Sequence, residues 1–121
     1  IPLASCISIA TGKPLVIGRK RQYELPGEIS VDQSTGYSKG TIFINDIKEG
    51  ERVFVIDDVI STGGTLRAVL GAVEKAGAII QDVIGVFEKN NIVAELVAET
   101  GWPIRSIVRV RMDGDQVIIL N

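Results

Sequence analysis

A β-favouring run, an acidic pair, a hydroxyl-and-glycine loop and a helical repeat follow one another without a break near the middle of this chain. Val53-Phe54-Val55-Ile56 is a continuous apolar run of the kind found in a strand buried on both faces of a parallel sheet. Asp57 to Gly64 is expected to form a loop, and Thr65 to Ala76 a helix, because Leu66, Val69, Leu70 and Val73 recur at helical spacing. Gly77 is placed to end that helix, and Val83 to Phe87 is a second buried-type strand. The flanks continue the alternation. Ile1 to Ala10 reads as a short helix stopped by Thr11-Gly12-Lys13-Pro14, and Leu15-Val16-Ile17 as a short buried strand. Thr41 to Ile44 is a strand and Asn45 to Gly50 a turn. Asn91 to Thr100 presents Ile92, Val93, Leu96 and Val97 on one helical face, and Gly101 and Pro103 close it. Ile104 to Val110 is a strand, Asp113-Gly114 a hairpin turn signal, and Val117 to Leu120 its antiparallel partner. The expected fold class is α/β, with a mainly parallel twisted sheet flanked by helices.

Composition narrows the function. The 121 residues suit one domain over 1–121, and 13 Lys+Arg against 15 Asp+Glu leave a net charge of -2, which argues against a broad nucleic-acid surface. The chain has no histidine and one cysteine, Cys6. It therefore has no intramolecular disulfide, no clustered Cys/His zinc pattern and no histidine-based nucleophilic triad. Cys6 is expected as a small core residue and Trp102 as a packing residue after a helix end. Absence of disulfides fits a reducing, cytoplasmic setting, and no apolar run approaches the roughly 20 residues that span a bilayer. The start lacks a basic leader, and Ile1 with Met112 as the sole methionine points to a natural N-terminus upstream.

The chemistry concentrates in the central segment. At the carboxyl end of a strand in an α/β sheet, Ser61-Thr62-Gly63-Gly64-Thr65 places backbone N–H groups at a helix N-terminus, where they and the dipole favour an anion. Gly63 and Gly64 allow close approach of a phosphate, and Ser61, Thr62 and Thr65 add hydroxyl donors. Asp57 and Asp58 would repel that phosphate but can accept hydrogen bonds from sugar hydroxyls, or hold a metal through water. A pentose 5-phosphate satisfies both halves. Gly18 to Lys39 has no clear period, holds the basic cluster Arg19-Lys20-Arg21, and is expected to be a functional or mobile loop.

The thirteen residues Val53 to Thr65 resemble the 5-phosphoribosyl-1-pyrophosphate (PRPP) signature of type I phosphoribosyltransferases. Upstream, Arg19-Lys20-Arg21 followed by Leu25-Pro26-Gly27-Glu28 is similar to the adenine-enzyme pattern, and Thr35-Gly36-Tyr37-Ser38-Lys39-Gly40 resembles its closing loop. The combination is most similar to archaeal hypoxanthine/guanine enzymes of the adenine-enzyme type, over nearly the whole chain. The resemblance implies that Asp57 and Asp58 contact the ribose hydroxyls, that Val59, Ile60, Ser61, Thr62, Gly63, Gly64 and Thr65 surround the 5′-phosphate, and that Arg19 and Lys20 add charge at the pyrophosphate. It implies catalytic roles for Asp57, Asp58, Tyr37 and Lys39, and a lid over about 19–40. Gly36 stands where the adenine enzymes carry a glutamate, so no acid/base role transfers to that position. The family's pyrophosphate loop and its hood over the base fall outside these residues, so turnover by this stretch alone is not implied.

The expected function is transfer of 5-phosphoribose from PRPP to a purine, hypoxanthine or guanine before adenine, with Mg2+ carried by the substrate and no metal ligated directly by the chain. A homodimer is implied, without membrane or nucleic-acid partners. The alternative is a non-catalytic PRPP sensor that regulates nucleotide-metabolism genes.

Overall fold

A computed structural model describes residues 1–34 and 39–121. In chain order the elements are α1 (Pro2–Thr11), β1 (Ile29–Ser34), β2 (Lys39–Ile44), β3 (Arg52–Ile60), α2 (Gly64–Lys75), β4 (Ile79–Lys89), α3 (Ile92–Thr100), β5 (Ile104–Asp113) and β6 (Gln116–Ile119). Strands β3, β4 and β5 run parallel, β6 returns antiparallel beside β5, and β1 and β2 form a separate antiparallel hairpin. The α/β class with a mainly parallel sheet is therefore realised, and Asp113 pairs with Gln116 across the hairpin turn.

Helix α2 joins the two sheets because it is apolar on two sides. Leu66 and Leu70 pack with Ile60, Val83, Leu96 and Ile104 to make the core over the larger sheet. Ala68, Val69 and Ala72 instead meet Ile42 and Ile44, with Ile29 and Val31 completing that second cluster. Burial of one such aliphatic side chain contributes roughly 1.5–3 kcal/mol, so both contacts hold the helix in place.

Three expectations change. Residues 19–40 are not one open loop, since Ile29–Ser34 is a strand in register with Lys39–Ile44, pairing Ile29 with Ile44 and Val31 with Ile42. Two alternating apolar residues between polar ones are too short a period to stand out, and α2 supplies the missing partner surface. Leu15-Val16-Ile17 is not a strand, and nearby Arg19 forms an isolated bridge with Phe43. Cys6 is exposed, because α1 buries none of its residues. Trp102 does pack against the main core, and its indole N–H donates to Glu74 Oε1 at 2.7 Å. Among the described residues no helix is long and apolar enough to cross a membrane.

The end of β4 is anchored by a buried carboxylate. Glu88 accepts the Val93 N–H at 2.9 Å and the Ser106 hydroxyl at 2.8 Å, with Arg109 Nε at 3.5 Å. One side chain thus ties β4 to the first turn of α3 and to β5, satisfying an N–H that the helix cannot bond internally.

Gly85 carries a tighter constraint. A Cβ there would lie 2.5 Å from Ile60 Cδ1, and Ile60 is only 1% exposed. Gly85→Ala is expected to lower stability by about 1–3 kcal/mol through overpacking, read as a lower midpoint in urea unfolding.

Candidate functional site

The acidic pair lies on β3, which continues to Ile60 instead of ending at Ile56. The longer β4 keeps pairing past that point, with Asp57 opposite Gly85, Val59 opposite Phe87 and Ile60 opposite Glu88. The backbone of Asp57 and Asp58 is therefore held by a rigid ladder. Fixed strand geometry positions a side chain more closely than a loop does.

Past Ile60 the chain turns into α2. Gly63 is the N-cap residue, with φ +78, and it offers no side-chain cap to the first turn. Such a conformation is strained for any residue with a Cβ. A Cβ would also lie 2.9 Å from both Arg67 Nη1 and Leu96 Cδ2. Only glycine fits here, and its lack of a side chain leaves the first turn without a cap from the N-cap residue, a setting that favours an anion. The Thr62 hydroxyl accepts the Gly64 N–H at 3.4 Å, and the Gln33 amide of the hairpin donates to the Thr65 hydroxyl.

Asp57, Val59, Ile60, Ser61, Thr62, Gly63, Gly64, Thr65 and Leu66 line one cleft of about 450 Å³, with Lys89 and Asn90 from the end of β4 opposite. Asp58 is exposed beside it and accepts the Val59 N–H at 2.8 Å. Burial, reinforced by the adjoining Asp58 carboxyl, holds the Asp57 carboxyl above the usual range. The cleft is thus lined both by a partly desolvated carboxyl and by the start of a helix. It can take a ligand with hydroxyls next to a phosphate.

Residues 1–91 match the family model of the phosphoribosyl transferase domain. The chain belongs to that family. Two curated relatives are named hypoxanthine/guanine phosphoribosyltransferase. The one from Methanosalsum zhilinae is 50% identical over 98% of this chain and 62% of its own length. The one from Ferroglobus placidus is 50% identical over all of this chain and 64% of its own. The chain therefore spans less than two thirds of these relatives. Among solved structures, the adenine phosphoribosyl transferase of Trypanosoma brucei, in complex with AMP, pyrophosphate and ribose-5-phosphate, aligns with a TM-score of 0.77. It is 25% identical, over 89% of this chain and 51% of that one.

Arg19, Lys20 and Lys39, also singled out from sequence, do not line this cleft. Arg19 donates to Glu28 Oε2 at 2.7 Å and to the Asn45 side chain, and its guanidinium stacks 4.1 Å from the Tyr23 ring centre. It works as an internal clamp. Glu28 also accepts the N–H groups of Tyr23 and Glu24 at 3.1 and 3.3 Å, so the basic segment is folded around one carboxylate. Lys20 is exposed next to this clamp, and Lys39 is exposed at the start of β2. Tyr37 lies outside the described residues. The family resemblance implies base recognition in the segment after Val83 to Phe87, Glu88-Lys89-Asn90, but that reading did not put Lys89 or Asn90 among the site residues that line the cleft. The available signal was their position just after a parallel strand adjoining β3, since such strand ends converge on one ligand. Asn90 makes the turn there with φ +59, a conformation that Asn tolerates.

Because the folded Asp57 carboxyl sits above its ordinary value of 3.8, ionising it costs more in the fold than in the unfolded chain. That cost is absent at low pH and is incurred as pH rises through the folded value. Asp57→Asn is expected to raise the thermal midpoint at pH 7, with the gain disappearing below pH 3.8, as calorimetric scans across pH would show.

Proposed function

We propose that this domain transfers 5-phosphoribose from PRPP to a purine base, hypoxanthine or guanine in preference to adenine, within purine salvage. The observation that carries this reading is that Asp57 and the start of α2 line the same cleft. The names of the archaeal relatives support the choice of 6-oxopurine, and Lys89 on the cleft wall offers an ammonium donor to a 6-oxo group.

In the proposed reaction the C1–O bond to pyrophosphate breaks and its electron pair leaves with pyrophosphate. A purine ring nitrogen forms the new C1–N bond, and its proton passes to solvent. Asp57 and Asp58 hold the ribose hydroxyls, which fixes C1 between base and leaving group. Backbone N–H groups and hydroxyls from Ser61 to Thr65 bind the 5′-phosphate. Lys20 supplies an exposed cation toward the pyrophosphate, and the Arg19 clamp holds its segment in place. The resemblance assigns catalytic roles to Tyr37 and Lys39 within a lid over about 19–40, whose closure would exclude water.

The residues present fit a divalent cation only together with substrate. Asp57 and Asp58 are two adjoining carboxyls whose mutual repulsion a cation would relieve, yet among the described residues no group of three or more His, Cys, Asp or Glu could hold one. Asp57 and Asp58 would be the carboxyls nearest to Mg2+ carried in by PRPP, which would supply neutralising charge for the leaving group. A cytoplasmic homodimer that binds neither membrane nor nucleic acid completes the proposal.

The test is calorimetric titration with PRPP and Mg2+, then with inosine, guanosine and adenosine monophosphates, followed by a turnover assay. The Asp57→Asn, Asp58→Asn double variant is expected to lose about ten- to a hundredfold in affinity, the worth of one charged hydrogen bond or more. Steady turnover would exclude a purely sensing role. Failure of both this folded chain and the full-length protein to bind any of these ligands would overturn the proposal.

A further inference from the structure

Two charges sit at the wrong ends of their helices and meet behind the phosphate loop. Arg67 is in the first turn of α2, where the helix dipole disfavours a cation, and Glu99 is in the last turn of α3, where it disfavours an anion. They pair in a two-pronged contact, with Arg67 Nε to Glu99 Oε1 at 3.1 Å and Nη2 to Oε2 at 2.5 Å. A third prong, Arg67 Nη1, donates to the Thr62 carbonyl at 3.1 Å. The same guanidinium occupies the space that a Gly63 Cβ would need. Departures from local helix rules that cluster on one loop point to a functional demand there.

We infer that Arg67 is a positioning residue for the phosphate loop, anchored by Glu99 and acting through the Thr62–Gly63 peptide. That peptide is planar and trans, so its carbonyl and its N–H point in opposite directions. With the Thr62 carbonyl drawn back to Arg67, the Gly63 N–H is turned away from Arg67, and Gly63 lines the cleft. Arg67 thereby presets one donor before the anion arrives, so that binding need not reorder the loop. The guanidinium fork suits this task because it can hold a carboxylate with two N–H groups and a carbonyl with another, as a lysine cannot. This inference rests on the ribose-phosphate reading of the cleft.

The experiment titrates the 121-residue chain with ribose 5-phosphate by calorimetry and follows the Gly63 and Gly64 amide resonances by NMR. Arg67→Gln is expected to weaken binding about tenfold and to shift the Gly63 amide in the unliganded protein. Glu99→Gln, at a side chain 53% exposed, keeps the positive charge and loosens only its anchor, so it is expected to weaken binding in the same direction by a smaller factor. Unfolding midpoints establish that each variant is folded, and Glu99→Gln carries the test if Arg67→Gln is not. Tighter binding by Glu99→Gln would mean that bare charge acts, and would overturn positioning. Wild-type binding with both variants within about twofold of it would overturn this inference alone, being within the spread of an unimportant surface contact. No binding by the wild type, as this chain and as the full-length protein, would overturn the ribose-phosphate reading and this inference with it.

Discussion

Burial of helix α2 on two sides is the contact on which the rest of the arrangement depends. Leu66 and Leu70 fix it to the parallel sheet, while Ala68, Val69 and Ala72 fix the hairpin to it. A helix held along both sides has little freedom at its start, and that start forms one wall of the cleft. The acid pair on β3 is equally constrained, because β4 continues the ladder beyond it and Ile60 is wedged over Gly85. Packing remote from any ligand therefore sets the distance between the groups that would grip the two ends of a ribose phosphate. Buried core residues such as Val83 matter to the site for this reason.

The electrostatics of the cleft run against local stability. Asp57 is partly desolvated beside a second carboxyl, Gly63 is strained for anything but glycine, and Arg67 and Glu99 oppose their own helix dipoles. Each feature costs the fold something, and all lie within one strand-to-helix turn or directly behind it. Concentration of such costs at one place is the ordinary signature of a binding site, since elsewhere selection for stability would remove them.

Arg19, ahead of the β1–β2 hairpin, serves the fold and not the cleft. Arg19 is held by Glu28 and Asn45 and bridges to Phe43 of β2 through backbone hydrogen bonds of 3.0 and 2.7 Å. The clamp fastens the root of the hairpin, and the hairpin in turn reaches the Thr65 hydroxyl through Gln33. Gln33 shares the face of Ile29 and Val31 by strand alternation, so the packing on α2 that buries those two also delivers the amide to the loop.

The sequence alone determined the α/β class, the central strand–loop–helix with its glycine turn, and the hairpin after Asp113. These rest on local signals: apolar periodicity, glycine at turns, and a motif whose members are neighbours in the chain. Only tertiary structure decided that β3 runs through the acid pair, that 29–34 is a strand, that Arg19 clamps Glu28, and that Lys89, Asn90 and Arg67 stand around the loop. Each of those depends on a partner distant in sequence, whether the overhanging β4, the flank of α2, or Glu99 on the next helix. Pairings of that kind leave no period in the residues on either side, so they become visible only when the chain is folded.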